Sequence, residues 1–513
     1  MRACPTQKRR CFRGNLSSSP GRLPTLGAVD IARASATNID ANLHILALAR
    51  SRIPGSDDRG IAPRWVGSVS QICAILFWIS HRKYTLGMPR FINREQQSSG
   101  TGLMGETALA IAPVFVVFYV LLILPLFSDG KDRAENILFW PVAAGLVLTL
   151  LLLNWARIDS RFFRSLPILS LIAYLLFAAA SVTWAYNQEI AFSRLLLQVL
   201  VFIVVVVPYA LPIRTRYTLQ GLHICYTIAL AICAFFVLTT PPSPIGHAGY
   251  FTHKQDLGLL AAIGIILSSY EITQRGLRLV FGLIAMALGF WLVFESQSKS
   301  TLALSLAALP CSWLILLVCK KTRLTPAYLV AAFVIVTMFV SNPIERIGYR
   351  LYGDPTLTGR TAIWGFIGDQ ISRKPWFGWG FHSYWFVPNS PHKAAPGYIR
   401  EMPSSHSGYL ELRLETGRIG YWIFMVFIYA SLHYLEYVRR KDPLRAWCYL
   451  SISLFALMIN LIDSNWLVLT HFWLLYLIIV AESIHYSWQI RATSPAPAAM
   501  ARGLMSMQTR RHT

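Results

Sequence analysis

Twelve apolar runs between residues 107 and 486 constrain this chain more than any other feature. They cover roughly 107 to 127, 137 to 154, 166 to 185, 190 to 211, 219 to 239, 257 to 272, 277 to 294, 300 to 319, 326 to 341, 418 to 437, 446 to 462 and 466 to 486. At about 1.5 Å of rise per residue, a run of ~20 residues crosses a hydrocarbon core; the sixth and ninth are short for that. A backbone in lipid must satisfy its own hydrogen bonds, so runs of this length become helices. The expected fold is therefore an all-α polytopic membrane protein with about twelve transmembrane helices and one large extracytoplasmic loop before the tenth. Composition agrees: 55% of residues are hydrophobic and 14% charged, against about 25% charged in soluble domains.

The formal charge of +23 arises from 47 Lys+Arg against 24 Asp+Glu. Such an excess can mark nucleic-acid binding, but here it sits in short loops between apolar runs, where it acts as a topology signal rather than a binding stripe. Arg157, Arg161 and Arg164, Arg214 and Arg216, Arg275 and Arg278, Lys320, Lys321 and Arg323, then Arg439, Arg440, Lys441 and Arg445 occupy alternate connections. The positive-inside rule puts these, both termini and the basic tail 488–513 in the cytoplasm. The long segment 342–417 then faces outside, which is the periplasm of a Gram-negative cell, and divides helices 1–9 (88–341) from helices 10–12 (418–487). Residues 1–87 carry 13 Lys+Arg and 4 Asp+Glu with little periodicity. They read as a disordered or mis-assigned extension, with Met88 as the start of the product. The eight cysteines include no C-x-x-C, so neither a disulfide nor a metal site is expected.

Charges kept at the outer ends of spans are costly there, about 2.5 to 3.5 kcal/mol at mid-bilayer. Lys254 and Asp256 open the sixth span, Lys299 opens the eighth and Arg194 lies inside the fourth. Each is read either as an interfacial or capping side chain or as part of a cationic ring for an anionic ligand. Arg and Lys orient phosphate oxygens, so a lipid-linked diphosphate suits such a ring. The outer segment interleaves Trp364, Trp376, Trp379, Tyr384, Trp385 and Tyr398 with Arg360, Arg373, Lys374 and Arg400. That composition fits a sugar site as well as an interfacial belt. Residues 361–373 read as a helix closed by the Gly-rich turn Pro375 to Gly380. The stretch Ser404 to Gly417 then returns the chain to lipid and carries His406, whose ordinary pKa of about 6.5 suits proton transfer at neutral pH. His406 is the candidate base. Its competing reading is a helix cap, and His253, His382 and His392 are rivals, His253 the strongest because Lys254 and Asp256 adjoin it. Glu415 and Glu411 share one helical face, so Glu415 is read as an orienting or capping residue.

These elements occur in a recognisable order. A G-R-x-x-x-W element (Gly359, Arg360, Trp364) precedes a P-x-x-G-x-G turn (Pro375, Gly378, Gly380), and His406, Tyr409, Leu410, Glu415 and Gly417 lead into the next span. In this the chain resembles the superfamily of O-antigen ligases and polymerases of lipid-linked glycans, over about residues 107 to 487. Phe251 to Gly258 and Ser296 to Lys299 resemble more closely the exopolysaccharide-polymerase branch, typified by the succinoglycan polymerisation protein.

The resemblance implies a GT-C-like, metal-independent and inverting glycosyltransferase of the bacterial inner membrane that uses no cofactor. Its donor would be an undecaprenyl-diphosphate-linked oligosaccharide. By motif, His406 is the base on the acceptor, while Lys299 and Arg360 match the basic residues of the S-[RK] and G-R motifs. Lys254, Lys299, Arg360 and Arg194 form the expected diphosphate set, and His253, Glu415 and Tyr409 support it. Departures are Ser407 after the histidine, Lys299 in place of arginine, and no equal of the ligase arginine ahead of the sixth span. Three functions follow: polymerisation of lipid-linked repeat units, ligation of the glycan to lipid A-core, or transport of the lipid-linked oligosaccharide by a flippase. The long outer loop and the absence of an evident inverted repeat disfavour the last. No D-x-D or paired-aspartate motif points to a divalent metal.

Overall fold

The computed structural model describes residues 100–127, 134–213, 215–244, 246–339, 360–385, 387 and 390–493. The chain divides into two units, Met1–Gln97 and Ser98–Thr513, and all described residues belong to the second. The extension 1–87, the first part of the outer segment (342–359) and the tail from 494 lie outside the described residues.

Among the described residues the protein is helical, with an isolated bridge between Ser243 and Gly246 and no strand. The long helices are α1 (Gly100–Phe118), α2 (Ala134–Leu153), α3 (Leu166–Ser181), α4 (Gln188–Val201), α5 (Thr218–Thr239), α6 (Lys254–Ile272), α7 (Leu277–Glu295), α8 (Lys299–Thr322), α9 (Pro326–Phe339), α10 (Arg360–Arg373), α11 (Gly408–Lys441), α12 (Pro443–Ile459) and α13 (His471–Thr493), with shorter helical turns between them. Each of the twelve expected runs overlaps a helix of this set, although 190–211 continues past α4 as tighter and wider turns and 466–486 begins ahead of α13; α10 lies outside the runs. Eight helical stretches among the described residues are long and apolar enough to cross a membrane, and Leu138–Leu153 and Pro443–Ile459 are shorter apolar helices. The short sixth run lengthens to 19 residues because His253 caps it one residue ahead of Lys254.

Helix α6 is the centre of the bundle. In its apolar window 78% of residues are buried, against 28% for α7 and 22% for α8, which turn large apolar side chains outward. Its close neighbours need small residues. A Cβ on Gly258 would come within 2.8 Å of Ser298 Cβ, and one on Gly264 within 2.8 Å of Leu230.

Helix α11 is interrupted at Gly417, whose φ of 64° and ψ of −163° are non-helical. An interruption strands backbone groups that must find partners. The Pro375–Gly380 turn supplies them: Trp379 N donates to Leu414 O (2.9 Å), Gly380 N to Glu415 O (2.9 Å), Arg418 N to Pro375 O (2.9 Å) and Ile419 N to Trp376 O (3.3 Å). Backbone packs on backbone here, so Gly378 (φ 69°) and Gly417 have no room for a Cβ. The P-x-x-G-x-G and E-x-G elements are thus two halves of one joint.

Beside that joint the segment 360–417 builds its own small core from Ile363, Ile367 and Ile371 of α10, with Trp379, Tyr384, Trp385, Ile399 and Leu414. Trp379, Tyr384 and Trp385 are at most 9% exposed, so they pack the loop instead of offering faces to a sugar. Trp376 and Tyr398, 56% and 47% exposed, remain on the surface.

Candidate active site

The turn Ser404 to Gly408 is held from three sides. Trp364 Nε1 on α10 donates to Ser405 O (3.1 Å), and Ser405 N donates to Glu411 Oε2 (2.8 Å). From the α12–α13 connection, Ser464 Oγ accepts from Ser407 N (3.0 Å), while Asn460 O and Asp463 O both accept from Gly408 N (2.9 and 2.8 Å). Gly408 lies so close to the Asn460 side chain that no Cβ fits. Ser407 caps α11 by accepting from Leu410 N. The expected capping function therefore belongs to Ser407, which leaves His406 to project from the turn.

His406 has a φ of 50°, uncommon for a residue with a Cβ and found preferentially where function requires it. Its Nδ1 faces Asp463 Oδ1 at 3.7 Å, with the two side chains 20% and 17% exposed. That separation is an electrostatic contact, longer than a hydrogen bond. Burial raises the Asp463 carboxyl, but the His406 ring, the Ser464 amide and Asn465 outweigh it and hold the group below its ordinary value. Asp463 is anchored besides, accepting from Ser464 N (2.9 Å) and Asn465 Nδ2 (3.2 Å).

The first turn of α6 faces the same pair. His253 lies within electrostatic reach of Asp463, His406 and Lys254, and burial, the largest influence, lowers its pKa. Asp256 also feels Asp463. Through Gly258 the N-terminal end of α6 approaches Ser298 and Thr301, so Lys254 and the exposed Lys299 open two helices that meet at this end. Arg360 stands one turn before Trp364 on α10, on the face that reaches the His406 turn.

Other expected residues are placed elsewhere. Arg194 donates to the backbone oxygen of His382, and Glu415 faces His382 instead of His406. Tyr409 donates to Leu457 O (3.0 Å), tying α11 to α12. His392 is buried beside the Trp385 ring, and burial lowers its pKa. Asp463 was missed by sequence reasoning. Its available signal was the polar triplet Asp463-Ser464-Asn465 between two apolar runs, which resembles any interhelical turn. Among the described residues no three His, Cys, Asp or Glu side chains gather as a metal site.

Residues 281–425 match the family model of the O-antigen ligase domain. That stretch runs from α7 into α11 and contains Lys299, Arg360, His382, His406 and Glu415; Arg194, His253, Lys254 and Asp463 lie outside it. A protein of Rickettsia typhi, provisionally named a polysaccharide ligase, is 24% identical over 129 residues, which are 24% of this chain and 32% of that relative. The alignment thus spans about a third of the relative's length. The two findings support the O-antigen ligase superfamily that the motif order pointed to.

Proposed function

We propose, from the O-antigen ligase likeness as premise, that this chain is a glycosyltransferase that polymerises undecaprenyl-diphosphate-linked repeat units at the periplasmic face of the inner membrane. It would span that membrane twelve times with both ends in the cytoplasm. The observation that carries the chemistry is His406 with its Nδ1 toward the anionic Asp463. An Nδ1–H facing a carboxylate leaves Nε2 as the basic nitrogen, the arrangement a general base needs. His406 Nε2 takes the proton of an acceptor sugar hydroxyl; the oxygen attacks the anomeric carbon from the face opposite the leaving group; the bond from that carbon to the diphosphate oxygen breaks and lipid diphosphate departs. Inversion follows from the single displacement, and this route needs no metal. Lys254, Lys299 and Arg360 stabilise the diphosphate as its charge grows, with Arg194 farther back. His253 stands close enough to share the electrostatics of the pair.

Ligation to lipid A-core is the second reading, favoured by the name of the matched family and by the name of the Rickettsia typhi relative. The two readings differ in acceptor and share the base. Purified protein with lipid-linked repeat units tests the assignment. His406→Ala is expected to lower transfer by about 10²- to 10⁴-fold, the range for loss of a general base, and wild-type rates would refute it. In cells, loss of long polymer with single repeats still displayed outside supports polymerisation, loss of glycan from lipid A alone supports ligation, and repeat units trapped inside support transport.

A further inference from the structure

The pair formed by His382 and Glu415 is not used by the chemistry above, yet it joins three elements of the site. The His382 backbone oxygen accepts from the Arg194 guanidinium of α4. Its ring Nε2 lies 3.2 Å from Leu467 O, in the α12–α13 connection that also carries Asp463, and its Nδ1 lies 3.6 Å from Glu415 Oε1 at the joint of α11. His382 and Leu467 both have positive φ (46° and 60°), so this link holds two backbone positions in conformations they would otherwise avoid. Leu467 O also accepts from Gln198 Nε2 of α4 (2.6 Å), whose Oε1 accepts from Trp473 Nε1 (3.1 Å).

The protons can be counted. A carbonyl oxygen only accepts, so His382 Nε2 must carry a hydrogen. A neutral ring then turns a bare Nδ1 toward Glu415, whose side chain is 4% exposed. Two bare acceptors facing each other in a buried site repel, so one of the two groups holds a further proton. Arg194 from α4, Glu411 one turn earlier on α11 and Tyr174 from α3 also face the pair. Burial first and Arg194 second lower the His382 pKa to about 4, which leaves the ring neutral.

We propose that Glu415 is a neutral carboxylic acid that donates its proton toward His382 Nδ1, and that this uncharged pair is a positioning device, holding Arg194 and the Asp463 connection in register. The inference rests on the glycosyltransferase reading for its activity arm alone. Glutamine keeps a donor at the same reach and alanine does not. Glu415→Gln is therefore expected to retain kcat and donor KM within about twofold, while Glu415→Ala raises donor KM at least fivefold and His382→Gln, which keeps an Nε2 donor, falls between. If the glutamine variant extracts and melts like wild type but is as impaired as alanine, the charge or the exchangeable proton is required and the proposal fails. The spectroscopic arm is independent of activity. The infrared difference between wild type and Glu415→Gln at neutral pH is expected to contain a protonated-carboxyl C=O band; an ionised-carboxylate band in its place overturns the neutral pair. A His406→Ala protein with full activity would refute the base, whereas the infrared band would still stand, so the two failures are separable.

Discussion

The two ends of the helix bundle handle charge in opposite ways. At the end that carries the basic connections, arginines meet glutamates. Arg278 takes Glu271 with two bonds (2.6 and 2.7 Å), Arg439 does the same with Glu436 (2.7 and 2.6 Å) while Arg440 adds a third (3.0 Å). Arg445 pairs with the fully buried Glu482 and reaches back to the Thr215 and Arg216 carbonyls (both 3.0 Å). At the opposite end the acids face histidines: Asp463 faces His406 at 3.7 Å and Glu415 faces His382 at 3.6 Å. A guanidinium keeps its proton at any working pH, so arginine pairs are permanent fastenings. An imidazole can lose and regain its proton, so His406 beside Asp463 is where proton transfer is proposed, while His382 and Glu415 form an uncharged positioning pair.

This contrast makes predictions that separate loss of chemistry from loss of fold. The largest effect is expected for His406→Ala, which should abolish most transfer while leaving the melting temperature in detergent unchanged; a protein that fails to fold would erase the contrast. Next, Arg445→Ala leaves Glu482 buried without its partner and should cost about 3 to 5 kcal/mol, read as lost thermal stability and yield. The double variant Arg445→Met with Glu482→Leu should recover much of it, since replacing a buried pair by apolar residues is often neutral, with the transfer rate per folded molecule near wild type.

Asp463→Asn should lower kcat about tenfold or more by removing the anion that steadies the protonated His406 ring. It also carries a pH signature. A carboxyl held below its ordinary value stabilises the fold above its unfolded pKa and loses that contribution as pH falls through the folded one. The stability gap between wild type and Asp463→Asn should therefore be full at neutral pH and close under acid conditions, as two thermal melts would show. The smallest effect is expected for the exposed Lys299→Ala, a several-fold rise in donor KM with kcat little changed; an unchanged KM would remove Lys299 from the diphosphate set.

Much of the architecture was legible because lipid imposes it. A run such as 277–294 can hide its backbone polar groups only as a helix, and α7 follows it within a residue. The motif order offered His406 as the candidate base, and the P-x-x-G-x-G element read as a Gly-rich turn. The partner of that turn was not legible, since the satisfaction of Leu414 and Glu415 carbonyls by Trp379 and Gly380 amides crosses some 35 positions of chain. The aromatic residues misled for a related reason. Trp379, Tyr384 and Trp385 suit a sugar platform by type, but type does not say which face is covered, and here they fill a local core.

The sequence by itself indicated the membrane class and the helical runs and offered His406 as the candidate base, because hydropathy and the ordinary pKa of a side-chain type belong to the residue itself. Tertiary structure alone decided which acid serves which histidine. Asp463 reaches His406 from a turn 57 positions away, and Glu415, nine residues from His406 on the same strand of motif, turns to His382 instead. That choice depends on where Gly417 breaks α11 and on how the α12–α13 connection folds over Gly408, relations in space that no local pattern of residues encodes.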